Sequence, residues 1–396
     1  MSAQMQPTSD YERELAAIDG ELAELEPAAE ATAADSERVT RLVYRRYQRA
    51  SLTGDLNRLA AVDARIDSAL PRLRRPADLY FLKASIALKL HRLADVEAIL
   101  AMDGDLRDSA PGALLQADVD VQRGLYEAAR QRLEGVVRDE PTWDGLARLA
   151  HLKGKLGDAD GAERLYAEAE DELTAKEMRH YSWVELQRGL LDLSRGRTDQ
   201  AEAHYEQAER AYSGHWLTAE HHAELLGARE RFDEAVALYR QVIACVPRPE
   251  FQQSLGELLI FIGRPDEAQA WLDLSLATYL ESAAKGEVHY YHHLADFYTD
   301  VRADGAEAVR WARKDLELRR NPWTLAALAV ALHRDGQADE AAAQMDEALA
   351  PGVGDAHLYF KAAEVYRAAG RTLEGERYWQ QAAEFNPHYR NFHVHR

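Results

Sequence analysis

Residues 143–173 read WDGLARLAHLKGKLGDADGAERLYAEAEDEL, and this stretch decides the fold. It holds two runs of helical period joined at a glycine. Leu146, Leu149 and Ala150 fall on one face of the first run. Gly157 marks the turn, and Ala162, Tyr166 and Ala169 recur at three- and four-residue spacing on the second. Each run therefore carries one apolar stripe, with small residues where the two helices must touch. A single pair of this kind cannot bury its stripes alone. The arrangement returns at intervals of roughly 34 residues, so each pair can stack on the next and share a continuous core.

Outward from this stretch the same order of residues recurs in both directions. Upstream, Ala117, Gly124, Ala129 and Pro141 mark one unit. Tyr80 and Ala84 mark another, with its turn near His91 instead of a glycine, and a looser unit begins near residue 37. Downstream come Gly189, Gly196, Ala201, Tyr205 and Ala208, then Ala223, Ala235, Tyr239 and Pro247, where Glu230 stands in the place of the turn glycine. Gly256, Gly263 and Ala268 follow. The unit from residue 288 is irregular, because VRADGAEA lengthens its second half, and two regular units close the array. Gly or Ala at 84, 117, 150, 189, 223, 256, 295, 329 and 363 lets the second helix of each pair cross closely. A larger side chain there would overpack the crossing at a cost of roughly 1–3 kcal/mol or more.

This spacing resembles the tetratricopeptide repeat, whose pattern of aromatic, Leu-Gly, Tyr, then Ala, aromatic, Ala and Pro runs in phase here over roughly residues 40–388. The resemblance implies an all-α fold: a right-handed superhelical solenoid of about ten helix-turn-helix repeats. Residues 1–36 are expected to form a capping helix, ended by Pro27, and a flexible linker; residues 37–388 form the solenoid and 389–396 a tail.

The totals narrow the function. The chain has 396 residues, 46% of them apolar, with no apolar run of about 18 or more that could span a membrane. The N-terminus shows no basic start followed by an apolar segment, so a cytoplasmic protein is expected. The single cysteine, Cys245, excludes an internal disulfide and a cysteine zinc site; it is expected in the core near a helix end. Sixty-eight acidic against 48 basic residues give a formal charge of −20, which disfavours nucleic acid as a partner. The Arg-rich run at residues 41–49 reads as a solvated helix face.

No nucleophile elbow, phosphate loop, dinucleotide fingerprint or HExxH pair occurs, so no enzyme motif is present. DGDLRD at 103–108 lacks the closing Glu of a calcium loop and reads as a turn. By the resemblance, the first helix of each pair lines a concave groove. The groove residues are then Asp118, Asp144, His151, Trp183, Glu220, Glu224, Glu250, Glu257, Trp323 and His333, with Asp296 and Asp300 adding to its acidity. An acidic groove favours a protein or peptide partner with a basic segment, and Trp183 and Trp323 could anchor it. The expected function is a non-catalytic scaffold or adaptor with no resident cofactor. Two alternatives stand beside it. HYYHHLADFYTD spaces His289, His292, Asp296 and Asp300 by three and four, which on one continuous helix would put neutral imidazoles and carboxylates on one face, as a divalent transition metal requires. The other is a regulator whose superhelix changes pitch when a peptide binds.

Overall fold

The computed structural model describes residues 8–31, 36–70 and 77–392, and every regular element among them is helical. Helix α1 (Asp10–Ala31) precedes ten pairs. The first two pairs are α2 (Ser36–Leu52) with α3 (Leu56–Ala69) and α4 (Ala77–Lys89) with α5 (Leu93–Met102). A single turn, α6 (Gly104–Arg107), leads into α7 (Ala110–Gln122) with α8 (Tyr126–Asp139), α9 (Trp143–Lys155) with α10 (Ala159–Asp171), and α11 (Met178–Ser194) with α12 (Thr198–Ala211). Then come α13 (Trp216–Ala228) with α14 (Phe232–Cys245) and α15 (Pro249–Phe261) with α16 (Pro265–Ala284). Helix α17 (Tyr291–Asp296) runs into a π-helical turn (Phe297–Val301) and pairs with α18 (Gly305–Leu318). The last pairs are α19 (Pro322–Arg334) with α20 (Ala338–Leu349) and α21 (Ala356–Ala368) with α22 (Thr372–Phe385).

The expected crossing residues are where the helices meet. Ala84, Ala117, Ala150, Ala223, Ala329 and Ala363 are fully buried, and Gly189 and Gly256 are buried on α11 and α15. A Cβ on Gly189 would run into the Tyr205 ring, and one on Gly256 into Leu272. Turns inside the pairs take the left-handed conformation at Gly124, Gly157 and Gly196, and also at His91 (φ 56°) and Glu230 (φ 60°), where the glycine is replaced. Several helix starts are held by Asp, Ser, Thr or Asn side chains that accept a backbone N–H, as Thr142 does from Gly145 and Asp158 from Gly161.

Five local expectations need correction or placing. Helix α1 continues through Pro27 to Ala31; proline's fixed φ suits a helix, and the cost is one backbone hydrogen bond. The arginines of α2 are not a plain solvated face: Arg45 pairs with Glu21 (2.8 Å), Arg46 with Glu26 (2.9 Å) and Arg49 with Asp19 (2.5 Å), so α1 lays its acidic side on them. Cys245 is exposed at the end of α14. The extra residues near 300 enter the first helix of their pair, as the π-helical turn, and not the second. Residues 389–392 are no loose tail, since Phe392 is fully buried against Gly227 and Phe261. The expectations for residues 1–7, the linker at 32–35, and the last four residues lie outside the described residues.

The array is long enough to wind back onto itself. Trp216 Nε1 donates to the Leu52 carbonyl (2.9 Å), and Asn321 Nδ2 to the Gln122 carbonyl (2.8 Å). Asn386 Nδ2 donates to the Ser194 carbonyl (3.1 Å), and Asn391 Nδ2 to the Ala228 carbonyl (2.8 Å). His91 meets His292 edge-on, and Gly157 backs onto Gly354. Each contact joins the end of a first helix to a segment five or six pairs further along, so the solenoid completes a winding and its coils touch.

Candidate binding lumen

First-helix side chains from both windings face one enclosed space. Lys89, at the end of α4, is exposed to water, yet burial and the fields of Arg148, Arg179 and Arg248 hold its ammonium below the usual lysine pKa, with Asp118 opposing them. Those four residues come from α7, α9, α11 and the start of α15. His151 on α9 is likewise exposed while its imidazole is pushed down to about 3, chiefly by desolvation and then by Lys155. Exposure combined with dense surroundings is the mark of a water-filled lumen.

The expected groove residues sit in this lumen with partners that the sequence reading did not supply. Asp118 and Asp144 share Arg148, at 3.0 and 3.1 Å. Glu250 pairs with Arg248; burial opposes its ionisation, but Arg248 and His293 pull its carboxyl below the usual range. Glu220 and Glu224, both buried on α13, flank His221 at 3.3 and 3.4 Å. Burial lowers the His221 pKa and the two carboxylates more than restore it. Glu257 accepts a hydrogen bond from Gln253 (2.7 Å). Trp323 Nε1 donates to Asp355 (3.1 Å), and the Lys155 ammonium stands 4.0 Å from the centre of the Trp323 ring. Trp183 is partly exposed and packs edge-on against Trp143, whose other neighbour is the stacked His180. His333 lies on the last turn of α19, about 15 Å along the axis from Trp323.

Glu220, Glu224, Glu250, Glu257 and Asp296, on α13, α15 and α17, form an acidic sector that also holds Arg248 and His221. Lys89, Arg148 and Lys155, on α4 and α9, stand apart from it together with Asp118 and Asp144. Tyr239, fully buried behind the acidic sector, has its phenol pKa raised by burial and by Glu220, Glu224 and Glu257.

The His/Asp cluster is not one face of one helix. His289 precedes α17, His292 lies within it, Asp296 ends it, and Asp300 follows on the π-helical turn, which inserts a residue and rotates what comes after. Asp300 faces Arg334 (3.9 Å), and His289 Nε2 lies 3.4 Å from the Ser282 hydroxyl. Among the described residues no three His, Cys, Asp or Glu side chains are grouped to hold a metal ion.

Ten helix pairs among the described residues, stacked with a lumen lined by their first members, define a helical-repeat protein of the superhelical class. The tetratricopeptide repeat model matches residues 182–207, 254–273 and 322–347, which fall on the pairs beginning with α11, α15 and α19. These three pairs are tetratricopeptide repeats by sequence, and the other pairs share their helix-turn-helix build. No curated protein matches the chain. Among solved structures it is similar to a human IFIT1 dimer with PPP-AAAA, at 14% identity and TM-score 0.49, covering 94% of this chain and 88% of that one. It is also similar to the Cut9 and Hcn1 hetero-tetramer of the APC/C (15%, TM-score 0.46, covering 93% and 79%). A tetratricopeptide repeat protein from Parabacteroides merdae gives 16% identity and TM-score 0.37, covering 61% and 93%. At these identities and scores the likenesses do not bear on what this chain binds. No helix among the described residues is long and apolar enough to cross a membrane.

Proposed function

We propose that the protein is a non-catalytic scaffold that holds a protein or peptide partner in its lumen, with a basic segment of the partner against the acidic sector. Repeats of this family build protein-binding surfaces, which supports the general reading. The observation that carries the specific one is the placement of Glu220 and Glu224, both buried one turn apart on α13, beside the next first helix, α15, which carries Glu257. His221 offsets part of the charge of Glu220 and Glu224, and a lysine or arginine of the partner that reaches these carboxylates and Glu257 adds charge-assisted hydrogen bonds. Trp183 and Trp143 add aromatic area for the partner's apolar or cationic side chains. In this reading the chain acts in the cytoplasm, without a cofactor and without engaging nucleic acid.

The test is anisotropy titration of labelled peptides that differ only in replacing Lys and Arg by Gln. The basic peptide should bind the full chain, and its affinity should fall clearly between low and moderate ionic strength, because charges at a wet surface are screened over about 8 Å at physiological salt. Combined Glu220→Gln, Glu224→Gln and Glu257→Gln should weaken binding tenfold or more without lowering the melting temperature. Equal affinity for the neutral peptide, or an RNA oligomer that displaces the basic peptide at lower concentration, would overturn the reading.

A further inference from the structure

Where the second winding lies on the first, a cavity of about 230 Å³ opens between α9, α11, α19 and α21. Its wall is apolar on one side, from Leu190, Leu191, Tyr166 and the rings of Trp323 and Phe385. Two cations reach it. The Lys155 ammonium lies over the Trp323 ring, and the Arg195 guanidinium lies 4.7 Å over the centre of Phe385. Among the described residues neither cation forms an ion pair with a carboxylate, although two carboxylates share the lining. Those two are engaged elsewhere. Asp355 accepts from the Leu358 N–H (2.9 Å) and from Trp323 Nε1 (3.1 Å), and Glu224 lies against His221. His151 on the rim is neutral and adds no charge.

We propose that this cavity is a small-molecule site for an aromatic carboxylate of one-ring size, its carboxylate held by Lys155 and Arg195 and its ring against Trp323 and Phe385. The Lys155 ammonium is desolvated and feels Asp355 without forming an ion pair with it, so an anion seated beside it supplies closer charge. The apolar wall rejects a small, fully hydrated anion, whereas a ring gains by burial and by stacking. The size agrees: an apolar cavity of about 150 Å³ accepts a benzene ring, which here leaves room for one carboxylate. Lys155 and Arg195, which hold the anion here, play no part in the peptide reading, although Glu224 borders both, so either can fail alone.

The probe is benzoate, titrated into the full chain by calorimetry alongside benzamide and acetate. Benzoate should saturate one site per chain below about 20 mM, the range that a ligand of so few atoms reaches. Benzamide, which keeps the ring and loses the charge, should bind at least tenfold more weakly, and acetate should show no saturable binding. Arg195→Gln and Lys155→Met should each weaken benzoate tenfold or more, and Lys155→Arg should restore most of the loss. Thermal melts of each variant separate lost binding from lost folding; Arg195→Gln lies outside the helical core and keeps the test open should Lys155→Met unfold. No saturation by benzoate, equal binding of benzamide or acetate, or a folded Arg195→Gln variant of unchanged affinity would each overturn the proposal.

Discussion

At Gly189 the absence of a side chain is a packing requirement, because the Tyr205 ring of the partner helix occupies the place a Cβ would take. Gly189→Arg should therefore destabilise by about 3 kcal/mol or more, since the side chain must either displace a fully buried tyrosine or separate α11 from α12. Glu206, the residue after Tyr205 on the exposed side of α12, pairs with Arg210 at 3.4 Å in open solvent. Glu206→Ala should stay within about 0.5 kcal/mol in the same urea titration. Equal shifts for the two would mean that the helices are not in register. Such crossing residues are legible in the sequence because a steric exclusion leaves Gly or Ala as the only choices, repeat after repeat. The cations of the lumen were not. Lys89 and Lys155 stand five residues after their small anchors, the same register position as Asp300, but a lysine in the last turn of a helix is already accounted for by the helix dipole and raises no question. Arg148 is not among the residues expected in the groove, yet it reaches both Asp118 and Asp144.

Between α17 and α18 the repeat period breaks, and what the element does with the extra residues decides the fate of its histidines and carboxylates. A sequence counted in threes and fours assumes an uninterrupted α-helix. The π-helical turn ends that assumption at Phe297 and takes Asp300 out of the α-helical register, while His289 lies ahead of α17 altogether. Asp296, the last residue before the turn, faces the lumen, and burial pushes its carboxyl up to about 6 from 3.8, with Lys361 opposing and Asp300 and Asp315 adding to it. The folded chain thus holds this proton more tightly than the unfolded chain does. Below the unfolded value, near 4, both states are protonated and the site contributes nothing. As pH rises from about 4 through about 6 the folded state loses relative stability, and above that the full penalty applies. Asp296→Asn should therefore stabilise by roughly 1–3 kcal/mol at pH 7.5 and by almost nothing at pH 4. Paired denaturant titrations at the two pH values check this, and a gain that does not change with pH would show that Asp296 titrates as an ordinary surface carboxylate. The α1 and α2 pair teaches the same lesson in reverse. The four arginines of the run at 41–49 look solvated until an acidic helix without repeat character is laid on them, and no periodicity in the sequence announces that docking.

Across the whole molecule the largest departure from the sequence reading is that the groove is closed. A solenoid's curvature is the sum of small rotations between neighbouring pairs, each fixed by local packing, and no single residue encodes how many pairs complete a winding. Once the coils meet, however, the contact has its own chemistry. Leu52, Gln122, Ser194 and Ala228 are the final residues of α2, α7, α11 and α13, and the last carbonyls of a helix have no partner within it. Each is satisfied by a side chain from the next winding or the segment beyond it: Trp216, Asn321, Asn386 and Asn391. These four donors act as latches, and each contributes about 1 kcal/mol, as a buried hydrogen bond does. Asn321 also caps α19 through its Oδ1, but the side chains of the other three donors hold no helix end of their own. Replacing Asn386 and Asn391 by Ala and Trp216 by Phe should therefore leave the helical content unchanged while the windings separate. A compact chain of this length has a radius of gyration of about 21 Å, and an unlatched spring is longer. Small-angle X-ray scattering should show the radius growing by at least 1 Å, on the order of a few per cent of that compact value. Were the variant to melt lower yet scatter as the wild type does, shape complementarity between the coils would be holding the lumen shut, and the latches would be a consequence of closure.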